Sequence, residues 1–282
     1  MATKKATSTK KKAPAVKSTS AVTKTTVKTV PAVAKKQTFG DHIESSLQSP
    51  RLWRSLGAEF IGTFLLVAVI VVSQGSAIAV MFALVGIVLI LGAISGAHFN
   101  PAITIGAWVT RRIGWLRAVG YIFAQFLGAA VAFFALQAFI GGQAEVSEAA
   151  AAYGQTAQEL FKAAALTDGK EWFVFFAELL GAAVLGFAVA NASRLRDQLS
   201  SAFSYGLGIF IALMIAGTVA SYVAASAIIN PAVALGLQAY APEAWSYLVY
   251  ALAPVLGGTL GFVLYDLLRG KGETEITTTV VR

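Results

Sequence analysis

The stretch Ser226–Gly236, SAIINPAVALG, sets an asparagine and a proline in the middle of an apolar run, and the same tripeptide stands earlier at Asn100-Pro101-Ala102. Hydrocarbon penalises both an unpaired amide and an interrupted helix, so a repeated Asn-Pro-Ala needs a structural reason. Proline is pre-organised for the first helical position, where its missing N–H is no loss, and asparagine is a favoured residue just before it, as the N-cap. Each triplet, Asn100-Pro101-Ala102 and Asn230-Pro231-Ala232, therefore reads as the start of a helix. The runs that follow, PAITIGAWVT and PAVALGLQAY, are too short to cross a bilayer yet apolar enough to enter one.

The rest of the chain supplies the bilayer. Of its 282 residues 57% are hydrophobic and only 13% charged, against about 25% charged in soluble domains, so a membrane protein is expected. Apolar stretches long enough to span lie near 55–73, 77–94, 116–140, 171–191, 201–220 and 245–267. Each Asn-Pro-Ala falls in a piece between spans, 95–111 and 221–240.

The two halves repeat. AEFIGT (Ala58–Thr63) is matched by AELLGA (Ala177–Ala182), the first Asn-Pro-Ala by the second, and AQFLGA (Ala124–Ala129) by APVLGG (Ala253–Gly258), in the same order. Three spans per half is an odd number, so the second half must enter from the opposite face. The expected fold is all-α: six transmembrane helices and two re-entrant half-helices in an inverted repeat, with a pathway at the repeat interface. Two half-helices meeting near the midplane would present Asn100 and Asn230 to a narrow lumen, where their amides would donate to a passing water or hydroxyl. The positive ends of their dipoles would repel cations and protons.

Charge sets orientation. Arg111, Arg112 and Arg117 fall between spans two and three, Arg194 and Arg196 between spans four and five, and Arg269 and Lys271 after span six. These are one side of an alternating six-span chain, so the positive-inside rule places both termini in the cytoplasm of a cell (plasma or inner) membrane protein. Residues 1–40 hold ten lysines and no acid. Residues 1–49 read as a disordered cytoplasmic tail with too little apolar content to fold; 50–269 as the channel domain; 270–282 as a C-terminal cytoplasmic tail. The lysine-rich tail is either a solvated tether or a contact for anionic lipid, with nucleic acid a weaker alternative. With no cysteine and two histidines far apart, no metal site or cofactor suggests itself. The absence of a nucleophile–base set or a Gly-rich phosphate loop speaks against an enzyme.

On SGAHFNPAIT (95–104), INPAVALG (229–236), AEFIGT, AELLGA and AQFLGA, the chain resembles the aquaporin, or major intrinsic protein, family over about residues 50–269. The resemblance implies a six-helix bundle, a homotetramer with one pore per subunit, and passive movement of water or small neutral solutes. It also implies that Glu59 and Glu178 brace the re-entrant loops through backbone N–H groups; a proton relay is the alternative for an intramembrane carboxylate. Gly128 and Gly257 read as close helix contacts. His98 is a candidate pH-sensitive gate, with loop packing as the plainer role. The family usually carries an arginine after the second Asn-Pro-Ala, as one wall of an outer filter; here that residue is Val233. Counting from the motifs puts the other filter positions at Val80, Thr218 and Ala227, a small and nearly apolar set without an aromatic. Strict selectivity for water or glycerol and full proton exclusion are then in doubt. Two other readings stay open: a secondary transporter of inverted-repeat type, and a structural membrane protein whose apolar filter keeps the pore shut by dewetting.

Since residues 1–49 have no apolar content able to pack on a bundle, a chain lacking them should keep its permeability per molecule. Stopped-flow light scattering on proteoliposomes with the full and shortened chains, normalised to protein, tests this; a large drop in unit flux counts against a detached tail.

Overall fold

The computed structural model describes residues 39–141 and 159–270. The expectations for residues 1–38 and 271–282 lie outside the described residues. Within them, six helices are long and apolar enough to cross a membrane: α2 (Pro50–Val72), α3 (Ala77–Ser95), α5 (Trp115–Gly141), α6 (Glu171–Ala192), α7 (Gln198–Ser221) and α9 (Ala244–Arg269). Two short helices begin at the Asn-Pro-Ala prolines, α4 (Pro101–Val109) and α8 (Pro231–Gly236). The expected fold class is borne out, since the half-helices fall between spans two and three and between spans five and six. One expectation fails at the N-terminal edge. Residues 39–47, read as part of a disordered tail, form a helix, α1 (Phe39–Leu47), and the Trp53 indole N–H donates to the Leu47 carbonyl at 2.7 Å. The short, partly acidic sequence FGDHIESSL hides this helix in a lysine-rich context.

The packing order follows the repeat and then crosses it. α2 lies against α3 and α5, and α6 lies against α7 and α9. Each half-helix, however, packs chiefly on the third span of the other half: α4 on α9, and α8 on α5. The sixth span carries a single π-helical turn, Leu248–Leu252, just before Ala253 and Pro254. A proline there cannot donate to the preceding turn, and a wider turn accommodates it.

Close approach, rather than bulk, makes these seams. Between lipid-bathed helices there is no hydrophobic driving force, so association depends on small residues that let backbones touch. A Cβ added at Gly128 would collide with the Phe60 carbonyl of α2, and one at Gly257 with the Leu179 carbonyl of α6. These two glycines occupy equivalent repeat positions, and so do the two carbonyls. Gly258 in turn sits against Ala102, where an added Cβ would come within 3.0 Å of the Ala102 carbonyl oxygen. The C-terminal end of α4 is tied to α9 by a bidentate pair, with Arg112 donating to the two Asp266 carboxylate oxygens at 2.7 and 2.9 Å. The same guanidinium lies 4.9 Å from the centre of the Phe262 ring.

Gly128→Ala and Gly257→Ala should each destabilise the detergent-purified protein by about 1–3 kcal/mol, as overpacking does. Gly86→Ala, where an added Cβ meets nothing within 4 Å, should be neutral or stabilising. Thermal unfolding of the three variants side by side distinguishes a backbone seam from a general intolerance of helix substitution.

Candidate functional site

The two re-entrant turns are built alike, residue for residue. The residue before each asparagine has left-handed backbone, with φ 49° at Phe99 and 50° at Ile229. For a β-branched side chain such as Ile229 this is a rare and strained conformation, costing about 1–3 kcal/mol. Each strained residue is gripped from three directions. First, a fully buried glutamate takes its N–H. Glu59 accepts from the backbone of His98 at 3.0 Å and of Phe99 at 2.6 Å, and Glu178 accepts from Ile228 and, at 2.7 Å, from Ile229. Second, its carbonyl accepts from the asparagine of the opposite half: Asn230 Nδ2 donates to Phe99 O and Asn100 Nδ2 to Ile229 O, both at 2.9 Å. Third, its side chain fills the space left by a glycine three residues after the glutamate. A Cβ on Gly62 would strike the Phe99 ring, and one on Gly181 would come within 2.8 Å of Ile229 Cγ2. The signal for this last contact was present in AEFIGT and AELLGA, but the sequence reading gave those glycines no part.

The asparagines also cap. Asn100 Oδ1 accepts from the Ala102 amide at 2.8 Å, and Asn230 Oδ1 accepts from the amides of Ala232 and Val233. The sequence reading aimed both amide groups into the lumen. In the structure one N–H of each is committed to the opposite turn, which leaves the second hydrogen of each amide for the lumen. Around the first turn the network is denser. Gln125 donates to Glu59 at 2.8 Å and to Thr104 at 2.9 Å, His98 Nδ1 lies 3.2 Å from Thr104 Oγ1, and Tyr205 donates to the His98 carbonyl. The repeat counterpart of Gln125 is Pro254, which offers no such donor.

Two cavities meet at this junction. The first, of about 240 Å³, is lined by both asparagines and otherwise mainly by apolar side chains, with no Lys, Arg, Asp or Glu among them. Val80, Ala227 and Val233 all line it. Thr218 does not: it is exposed, its hydroxyl donates back to the Met214 carbonyl, and its neighbour Gly217 faces the cavity instead. The motif count through α7 was one residue off, and the position expected to hold a threonine side chain holds none. The cavity also has an aromatic that the sequence reading lacked. Phe161, from the segment after residue 158, lines it with its ring against Gly75. That segment is held in place by the Ala163 amide on Leu237 O, the Ala164 amide on Ser226 Oγ and the Thr167 hydroxyl on Val223 O, each at 3.0 Å.

The second cavity, of about 810 Å³, lies beyond His98 and Tyr205, which line both spaces, and its walls carry six arginines. Both asparagines line the first cavity, and each caps its own half-helix while clamping the opposite turn.

The family comparison agrees with this geometry. The model for major intrinsic proteins matches residues 46–265. The chain belongs to the major intrinsic protein family. Members of that family are channels rather than enzymes, and the chain is accordingly an integral membrane channel protein. Among curated relatives, it is 30% identical to Aquaporin NIP3-1 of Zea mays over 80% of this chain and 74% of that protein. It is 34% identical to Glycerol uptake facilitator protein-like 6 of Lactiplantibacillus plantarum, over 72% of this chain and 92% of the other. Among solved structures, the X-ray structure of the aquaglyceroporin from Plasmodium falciparum aligns with a TM-score of 0.59 at 19% identity, covering 76% of this chain and 95% of that one, which shows the shared major intrinsic protein fold.

Replacing Glu178 by glutamine keeps the shape but sets an amide against two backbone donors, and Glu59→Gln sets one against two backbone donors and the Gln125 side-chain amide. Each should lose about 1–3 kcal/mol or more of stability. Asn100→Leu and Asn230→Leu lose a cap worth about 0.5–2 kcal/mol together with the cross-turn bond. Purified yield and unfolding temperature check all four; unchanged values would mean that the turns are held by packing alone.

Proposed function

We propose that this protein is a passive pore for water and small uncharged solutes such as glycerol, with a wide, apolar outer filter. The observation that carries the reading is the uncharged cavity running past Val80, Gly217, Ala227 and Val233 to the asparagine pair. Glu59 and Glu178 serve this pore as supports. Both are fully buried, and both accept from the backbone of the re-entrant turns, so they leave no free carboxylate to couple solute movement to an ion gradient.

The filter takes its width from what is missing and its edge from Phe161. With valine at 233 there is no fixed charge and no fork of N–H donors at the narrowest ring, and Gly217 adds no side chain at all. Exclusion of cations and protons then falls on the two helix starts and their asparagines, each start equivalent to at most about half an elementary charge. Proton exclusion is weaker than in a pore with an arginine at that ring. Phe161 reaches over the same ring and limits the size of what enters.

By the positive-inside rule, the arginines between α4 and α5 and between α6 and α7 support a cytoplasmic side for the arginine-lined cavity and for both termini. The same reading makes the protein a homotetramer of a cell membrane with one pore per subunit, and makes the lysine tail a cytoplasmic tether that touches anionic lipid.

Water, glycerol, urea and proton permeabilities measured in the same proteoliposomes test the pore. Wild type should exceed protein-free vesicles for water and glycerol. Phe161→Ala should raise the glycerol-to-water ratio by about tenfold and Val233→Arg should lower it by a similar factor, the scale at which a few methylenes discriminate. Val233→Arg should also reduce proton leak. Permeabilities equal to those of empty vesicles for every solute would instead support a shut, structural protein.

A further inference from the structure

A notch of about 270 Å³ opens where α1 hands over to α2 and α5 begins. Ser46 and Ser49 line it from the first of these segments, Trp115, Leu116 and Arg117 from the second, and the buried Leu52 adds an apolar wall. The notch stands apart from the solute path. Neither asparagine and none of the filter residues lines it, and it shares only Arg117 with the arginine-lined cavity.

Its polar groups are donors in want of an acceptor. Arg117 forms no ion pair and no side-chain hydrogen bond among the described residues. Ser49 stands at the N-cap of α2, yet its hydroxyl makes no capping bond. Ser46 commits its backbone carbonyl, to the Ser49 amide, and among the described residues its hydroxyl is not engaged. No carboxylate lines the notch. The neighbouring N-terminal stretch cannot supply one, since residues 1–40 hold ten lysines and no acid.

The surroundings fix its depth. Trp115 in its wall and Trp53, next to Leu52, are exposed, and exposed indoles sit at the headgroup level of a bilayer. From Trp115 the exposed side chains of α5 continue at every fourth residue, Val119, Phe123, Leu127 and Val131, which puts them on one face of the helix. That ridge rises about 24 Å, more than the roughly 15 Å of hydrocarbon in one leaflet. A basic, hydroxyl-lined notch at headgroup depth thus stands at the head of an apolar ridge as long as an acyl chain needs.

We infer that this notch binds an anionic phospholipid of the leaflet on the arginine-rich face. Arg117 pairs with the phosphate, for which a guanidinium offers two parallel N–H donors. The Ser46 and Ser49 hydroxyls donate to its other oxygens, and an acyl chain lies along the α5 ridge. Charge selects the lipid. A choline headgroup brings a cation to a site that has an arginine and no acid, whereas a glycerol headgroup brings none. The bound lipid bridges the α1–α2 junction and the start of α5, so it stabilises the fold. The inference goes beyond the pore reading and stands whether or not the pore conducts.

Native mass spectrometry of the full chain in detergent, titrated with dioleoylphosphatidylglycerol or dioleoylphosphatidylcholine, tests this. The first phosphatidylglycerol should bind about fivefold or more tighter than the first phosphatidylcholine, the weight of one basic group at an anionic surface. It should also raise the unfolding temperature. Arg117→Gln should remove the preference. Gly114→Leu should remove it by filling the notch, because Gly114 lines it and an added Cβ there meets nothing within 4 Å; this variant decides the matter if Arg117→Gln does not fold. Arg269→Gln takes a charge from the same face outside the notch and should leave the preference intact. Equal affinity for the two lipids would overturn the inference. So would a preference that survives Gly114→Leu, which would assign the lipid to the lysine tail. A preference weakened as much by Arg269→Gln as by Arg117→Gln would reduce it to diffuse surface charge and overturn it too. Glycerol 3-phosphate stabilising the protein as much as phosphatidylglycerol does would replace the lipid site with one for a soluble anion.

Discussion

Everything in this channel hangs on the backbone of two residues. The N–H of Phe99 and of Ile229 goes to a glutamate in the first helix of its own half, and the carbonyl of each goes to the asparagine of the other half. At that depth neither group can turn to water, and both residues sit in strained left-handed backbone. Hydrogen bonds to a charged group contribute about 1.5–3 kcal/mol each, and every glutamate makes at least two, which outweighs strain of about 1–3 kcal/mol per turn. The balance is narrower for the carboxylate itself, whose burial costs several kcal/mol. A buried carboxylate with a donor on each oxygen is tolerable and one with a partner missing is not, so the turns and the glutamates stabilise one another or neither.

That mutual dependence explains the crossed packing. Because each asparagine reaches the opposite turn, the two half-helix starts must face one another closely, and the remainder of each half-helix is carried over onto the third span of the other half. α4 then meets α9 and α8 meets α5. Glycine is needed where backbones touch: within each half at Gly128 on Phe60 and Gly257 on Leu179, and across the halves where Gly258 meets Ala102. The two halves cannot separate without breaking both cross-turn bonds and the Gly258–Ala102 contact together.

What the sequence made legible is what repeats or has a local signature. Six spans follow from apolar length, and the half-helices from asparagine followed by proline. The inverted arrangement follows from three paired motifs separated by an odd number of spans. What it left obscure is registration and long-range reach. In α7 an error of one residue turns a side chain by about 100°, which is enough to move Thr218 from the lumen to the outside and bring Gly217 in. Phe161 enters the cavity through bonds to Leu237, Ser226 and Val223, all distant in sequence, and its own neighbourhood carries no motif. α1 is hard to read because it is only nine residues long and lies directly after the lysine-rich tail. The glycines of AEFIGT and AELLGA were visible as matching letters, but their partner, the strained residue before each asparagine, is known only once the turn has been folded.

The repeat is also where the symmetry ends. Inversion carries each loop of the first half to the opposite face of the membrane in the second half, so corresponding loops face different compartments. A rule that keeps arginine on one side must then break the correspondence. Thr110 and Arg111 follow α4, whereas Leu237 and Gln238 follow α8. Gln125, which donates to Glu59, is answered by Pro254, which donates nothing. The buried skeleton of glutamate, strained turn and asparagine is thus held to two-fold likeness by hydrogen bonding that hydrocarbon makes obligatory. The two mouths are free of that demand and have diverged: one is a basic vestibule, and the other is a small apolar ring with a phenylalanine at its edge. In this fold symmetry belongs to the part that must satisfy its backbone out of reach of water, and the parts that water reaches are free to differ.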